Sequence, residues 1–109
     1  MIVKEVIKIM ENRKFGNTGL TPSILGFGMM RMKRDEKGNY DEKWTIDTLR
    51  YAIDNGLSYV DTAYVYPGSE AALGEILERN GVREQVYIAT KLPHYLIKSR
   101  EGLDKLFAE

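Results

Sequence analysis

Apolar residues recur along this chain in two alternating rhythms. After Asp41, the residues Trp44, Thr48, Leu49, Ala52 and Ile53 fall three and four apart, the spacing of one helical face. Asp41 is a residue type that caps helix N-termini, and Asn55-Gly56 closes the run, with Gly56 suited to the left-handed position past the last turn. A second stripe, Ala72, Leu73, Ile76 and Leu77, follows Ser69, expected as its cap, and Glu70, well placed for the helix dipole. Asn80-Gly81 ends it as Asn55-Gly56 ends the first. Ser99 opens a third helix with apolar positions at Leu103, Leu106 and Phe107. Runs too short for helices, Ser23–Gly28, Leu57–Val60 and Val86–Thr90, read as buried strands. Lys14–Leu20 reads as a hairpin in which glycine and Asn17 supply the positive φ angles of a tight turn. Lys33–Tyr40, Asp61–Gly68 and Lys91–Lys98 read as loops.

The order is therefore a hairpin followed by β-α-β-α-β-α. Strands alternating with helices imply a parallel sheet with right-handed crossovers. The strand ends at Gly28, Asp61 and Lys91 lie 33 and 30 residues apart, the repeat of a βαβ unit. An open doubly wound sheet and a (β/α)8 barrel both satisfy this pattern. Ahead of it, Ile2, Val3, Val6, Ile7 and Met10 fall at helical spacing, so residues 1–11 are expected to be an extension and residues 12–109 the folded domain.

Composition removes several function classes. Sixteen basic side chains balance sixteen acidic ones, so no charge excess points to nucleic acid or an anionic membrane. Without cysteine, disulfides and thiolate metal sites are excluded, and the single histidine, His94, cannot build a multi-histidine site. No stretch is apolar enough to span a bilayer, and Lys4, Glu5 and Lys8 interrupt the start in a way unlike a secretory signal. A cytoplasmic location is the default expectation.

In parallel α/β folds the working face lies beyond the C-terminal ends of the strands. Asp61 and Lys91 follow the second and third strands, and Tyr66 lies five residues past Asp61 in a loop able to fold back over that rim. A tyrosine hydroxyl, with an ordinary pKa of about 10, is a poor acid at neutral pH. A nearby ammonium favours the phenolate, and a carboxylate can hold the ammonium in place. Such a tyrosine can protonate a carbonyl oxygen as hydride reaches the carbon. Singly, these residues have ordinary readings: Asp61 a turn residue, Tyr64 and Tyr66 loop aromatics, Lys91 a solvated cation. Three compatible residue types at linked strand ends favour the chemical one.

At this point the sequence resembles a known family. Arg13–Leu20, then Ser23–Arg31, are similar to the opening of aldo-keto reductases. So are Asp61-Thr62-Ala63-Tyr64-Val65-Tyr66, followed by Ser69-Glu70 and Leu73-Gly74-Glu75, and Ile88-Ala89-Thr90-Lys91-Leu92-Pro93. The resemblance implies an α/β fold, the N-terminal part of a (β/α)8 TIM barrel that is not closed in this chain. It implies NAD(P)H-dependent reduction of a small-molecule carbonyl, with Asp61, Tyr66 and Lys91 matching three members of a catalytic tetrad. Tyr64 is two residues short of the acid's position. The fourth member, a histidine, belongs to a later strand, and His94 is expected to be a loop residue or a pocket wall instead. NADPH, or NADH, is the implied cofactor. Gly28, Met29 and Met30, together with Asp61, match positions near the nicotinamide and its ribose, and Arg31 matches more weakly. Met32 is expected to be core packing.

A barrel of this kind takes roughly 250 residues. With three strands, the 109-residue polypeptide is expected to be marginally stable and inactive alone, with open sheet edges able to self-associate. Three readings stay open: part of a reductase, an inactive cofactor-binding module, or an assembling fragment.

Overall fold

A computed structural model describes residues 10–109, so the helical spacing expected over residues 1–9 lies outside the described residues. The elements are β1 (Phe27–Gly28), α1 (Glu42–Asp54), β2 (Tyr59–Asp61), α2 (Ser69–Arg79), β3 (Tyr87–Ala89) and α3 (Arg100–Ala108). The strands form one parallel sheet in the order β1-β2-β3. Phe27 pairs with Val60, Gly28 with Asp61, and Asp61 with Ala89, so all three strands end at one level.

The helices are set by their ends. Asp41 Oδ1 accepts from the Trp44 N–H at 3.0 Å, and Ser99 Oγ accepts from the Gly102 N–H at 3.0 Å, so both act as the expected caps. Past α1, the Gly56 N–H donates to Ile53 O and the Leu57 N–H to Ala52 O. Past α2, the Gly81 N–H donates to Glu78 O and the Val82 N–H to Leu77 O. Both are Schellman endings: glycine takes the left-handed turn, and the next residue, Leu57 or Val82, drops into the core. The two glycines differ in surroundings. A Cβ on Gly56, at φ +99°, would lie 2.5 Å from Met10 Cβ, whereas one on Gly81, at φ +67°, meets nothing within 4 Å. Gly56→Ala is therefore expected to cost about 1–3 kcal/mol and to cost more than Gly81→Ala, read as urea midpoints. Equal midpoints for the two variants would remove Met10 from the account.

One apolar cluster holds the layers together. It joins Ile46 and Leu49 of α1, Leu73, Ile76 and Leu77 of α2, Val60 of β2, and Met29, Met32, Leu57, Val82 and Val86 from the connections. Met32 is core packing, as its sequence suggested.

Five expectations need correction. Trp44 is exposed, and the buried face of α1 runs through Thr45, Ile46 and Leu49. Thr45 can be buried because its hydroxyl donates to Asp41 O at 2.8 Å. Ser69 does not cap α2; Gly68 holds that place with no side-chain hydrogen bond, and Ser69 is the first helical residue. The run Ser23–Gly28 is not one strand. Ser23 bridges antiparallel to Asn12, its hydroxyl donates to Leu25 O at 2.7 Å, and the chain bends before β1. In the hairpin, Gly16 and Gly19 carry the positive φ angles and Asn17 does not. The expected loop Lys91–Lys98 contains a short 3-10 turn, His94–Leu96, and another, Arg83–Gln85, precedes β3.

Candidate active site

The rim at the ends of β2 and β3 is built first by backbone. Parallel pairing places Asp61 beside Ala89, and the Thr62 N–H donates to Ala89 O at 2.8 Å. The Tyr64 N–H then donates to Lys91 O at 3.3 Å, so the two chains stay side by side past the sheet. This registry carries Lys91 back toward Asp61. Lys91 Nζ donates to Asp61 Oδ2 at 2.6 Å, to Thr62 O at 2.9 Å and to Tyr66 Oη at 3.5 Å. It also lies 5.2 Å from the centre of the Tyr66 ring. The three residues singled out in the sequence thus meet on one cation.

The Lys91 pKa is raised above its ordinary value, chiefly by the hydrogen bond to Asp61, against a smaller lowering by burial and with further support from Tyr66. Lys91 is therefore an ammonium throughout the neutral range. With side-chain exposures of 52% for Lys91 and 38% for Asp61, the pair is well solvated. Its value lies in placing a charge more than in stabilising the fold.

Tyr66 is held by its own turn. Its N–H donates to Ala63 O at 3.1 Å, and its carbonyl accepts from the Ser69 N–H at 2.9 Å. Beneath that turn, the buried hydroxyls of Thr62 and Ser69 are 2.7 Å apart. A buried hydroxyl without a partner costs about 1–3 kcal/mol, so each fixes the other. Thr62 consequently serves both site residues: its carbonyl receives Lys91 and its side chain pins the turn that carries Tyr66. Glu70 ties the start of α2 to the end of β3 by accepting from Thr90 Oγ1 at 2.7 Å. The sequence marked Ser69 and Glu70 only as a helix start, and the anchoring by Thr62, Ser69, Glu70 and Thr90 was not read from it. Small hydroxyl residues flanking Asp61 and Glu70 were the available signal.

Tyr64 is engaged elsewhere. Its hydroxyl donates to Glu109 Oε2 at 2.9 Å, and that carboxylate raises its pKa. Near the end of β1, Gly28 offers open backbone, since a Cβ there would meet nothing within 4 Å. The Met29 N–H donates to Asp61 O at 2.9 Å while its side chain, 2% exposed, enters the core. Met30 is 63% exposed and Arg31 is exposed too. His94 is an exposed residue of the 3-10 turn after β3, its ring edge-on to Tyr95 at 5.7 Å. Among the described residues no cluster of side chains could hold a metal ion, and no helix is long and apolar enough to cross a membrane.

Residues 24–107 match the aldo/keto reductase family. This chain belongs to that family. Aldo-keto reductase YhdN of Bacillus subtilis is 37% identical over 84 residues, which cover 75% of this chain and 25% of the relative. The 9,11-endoperoxide prostaglandin H2 reductase of Trypanosoma cruzi is 33% identical over 85 residues, 77% of this chain and 26% of the relative. A Pseudomonas aeruginosa crystal structure assigned as an aldo-keto reductase superposes with a TM-score of 0.65 at 32% identity, covering 81% of this chain and 36% of its own. The holo form of an aldo-keto reductase from Bacillus halodurans gives a TM-score of 0.59 at 30% identity, covering 74% and 25%. These aldo/keto reductase neighbours decide between the two architectures: the three parallel strands are the opening part of a (β/α)8 barrel, with the sheet still open. The chain spans about a quarter of the length of these curated relatives.

Proposed function

We propose that this chain furnishes the proton-donating part of an NAD(P)H-dependent carbonyl reductase, with residues 12–109 as its barrel portion and residues 1–11 as an extension. The observation that carries the reading is the Lys91 ammonium shared by Asp61 and Tyr66 at the strand ends. NADPH or NADH, when bound, supplies a hydride to the carbonyl carbon of a small aldehyde or ketone. The open backbone at Gly28, the Met29 main chain, the exposed Met30 and Asp61 are the residues that would lie along it, and no atom within 4 Å of a Cβ on Gly28 would block its approach.

Tyr66 transfers its hydroxyl proton to the carbonyl oxygen as the carbon accepts the hydride, giving the alcohol. The charge left on the phenol oxygen faces Lys91 Nζ, 3.5 Å away. Asp61 keeps that ammonium from swinging into solvent, where a lysine side chain is otherwise free to rotate. The backbone oxygen of Thr62 accepts a hydrogen bond from the same ammonium, using a second of its three N–H donors.

The test places residues 12–109 in the corresponding quarter of the Bacillus subtilis YhdN chain and follows NADPH oxidation with 4-nitrobenzaldehyde. Turnover well above background is expected. A chimera that folds by circular dichroism, binds NADPH and gives no turnover would count against the reading and favour a cofactor-binding module.

A further inference from the structure

The polar loop between β1 and α1 does something the reading above leaves unused. Arg34 and Tyr40 pair across an antiparallel bridge that closes the turn between them. The Asp35 N–H donates to Asn39 O at 2.8 Å, and Asp35 Oδ1 accepts from the N–H groups of Lys37 and Asn39, so the turn is tied internally. On this frame the Arg34 guanidinium lies 3.9 Å over the Tyr40 ring. Arg34 Nη1 donates to Gly38 O at 2.8 Å, which leaves Nη2 aimed out of the turn.

Both side chains end on one atom. Arg34 Nη2 donates to Pro67 O at 3.0 Å and Tyr40 Oη donates to the same oxygen at 2.6 Å. Pro67 directly follows Tyr66, and Gly68, at φ +69°, lies against the Tyr40 ring. The carbonyl of Pro67 thus has both lone pairs occupied from a loop 27 and 33 residues earlier. We propose that Arg34 and Tyr40 are positioning residues that clamp the Pro67 carbonyl and so hold Tyr66 against Lys91.

The geometry makes the clamp matter. The Lys91–Tyr66 contact is 3.5 Å, at the outer limit of a hydrogen bond, while Lys91–Asp61 at 2.6 Å is secure. A small displacement of the Tyr66–Pro67 turn therefore decides whether the first contact exists. From below, Thr62 and Ser69 fix the C-terminal end of that turn. From outside, only the Arg34–Tyr40 stack reaches its middle among the described side-chain hydrogen bonds.

As a statement about catalysis, this rests on Tyr66 being the proton donor; as a statement about geometry, it does not. Tyr40→Phe keeps the ring and removes the bond to Pro67; Arg34→Lys keeps a cation and loses the planar stack. In the full 109-residue chain, both variants are expected to speed amide exchange at Ser69 by about tenfold and to lose the nuclear Overhauser contact between the Tyr66 ring and the Lys91 ε-methylene, at unchanged melting temperature. In the YhdN chimera the same variants are expected to lower kcat by about tenfold with little change in KM, and to raise the solvent deuterium isotope effect. A lower folded fraction, checked by circular dichroism to be equal in light and heavy water, cancels from an isotope effect. Unchanged exchange and an intact Tyr66–Lys91 contact in both variants would overturn the proposal. Altered exchange and contact with an unaltered isotope effect would keep the clamp and overturn its catalytic role, and an unimpaired Tyr66→Phe chimera would show that the fault lies with the donor assignment.

Discussion

Tyr66→Phe in the YhdN chimera is expected to lower kcat by about 10²–10⁴-fold, the usual contribution of a positioned general acid, with KM nearly unchanged. The substitution removes one oxygen. The Tyr66 hydroxyl makes its contact with Lys91, while the turn around it is held through main-chain bonds and through Ser69 and Pro67, all of which survive. The loss therefore falls on the chemical step. Tyr64→Phe is the matched control: it breaks the bond to Glu109 and is expected to change kcat by less than about twofold, because the hydroxyl it removes bonds neither Lys91 nor Asp61 and the main-chain bond to Lys91 O survives. Steady-state kinetics on the two variants separates them, and a larger loss for Tyr64→Phe would reverse the assignment.

Lys91→Met is expected to follow closely, lowering kcat by about 10²–10³-fold, the effect of removing one donor aimed at developing charge. Three acceptors lose their partner at once: Asp61 Oδ2, Thr62 O and Tyr66 Oη. Asp61→Asn is expected to be milder, since Thr62 O still holds the ammonium. The pH dependence follows in sign. The Lys91 pKa is raised above its ordinary value near 10.5, so the proton is bound more tightly in the folded chain. The stability it contributes is fully present below that ordinary value and is lost as pH rises through the higher folded value. The wild-type chimera should thus keep its Lys91-dependent activity throughout the neutral and mildly alkaline range. A difference between wild type and Lys91→Met that disappears between pH 7 and 9 would contradict this.

Much of the scaffold was legible in the residues because local signals dominate there. Asp41, Ser99, Asn55-Gly56 and Asn80-Gly81 act within a turn of themselves, and each helix starts or stops where they stand. The meeting of Asp61, Tyr66 and Lys91 was legible because a parallel sheet converts strand ends into one rim. What escaped depends on hydrogen-bond partners that residue type and spacing do not name. At the start of α1 the buried positions are Thr45 and Ile46 in place of Trp44, while Leu49, Ala52 and Ile53 face the core as read, and Thr45 is buried at little cost because its hydroxyl donates to Asp41 O. Ser69 has the residue type of a cap, but its hydroxyl is drawn to Thr62, seven positions earlier, and Gly68 is left at the end. Arg34 and Tyr40 sit in a polar stretch with no periodicity, so nothing in it names Pro67 as their target.

The sheet order β1-β2-β3 has a consequence for how this region is made. Each strand hydrogen-bonds the one just before it in sequence, and the Asp61–Lys91 and Tyr66–Lys91 contacts close over 30 and 25 residues. Loop closure over such spans differs little in entropy from one unit to the next, since the penalty grows only with the logarithm of length. A nascent chain emerging from the ribosome meets these partners in order, N-terminal units first. The corner formed by Asp61, Tyr66 and Lys91 is thus able to form during synthesis, ahead of any strand that is translated after it.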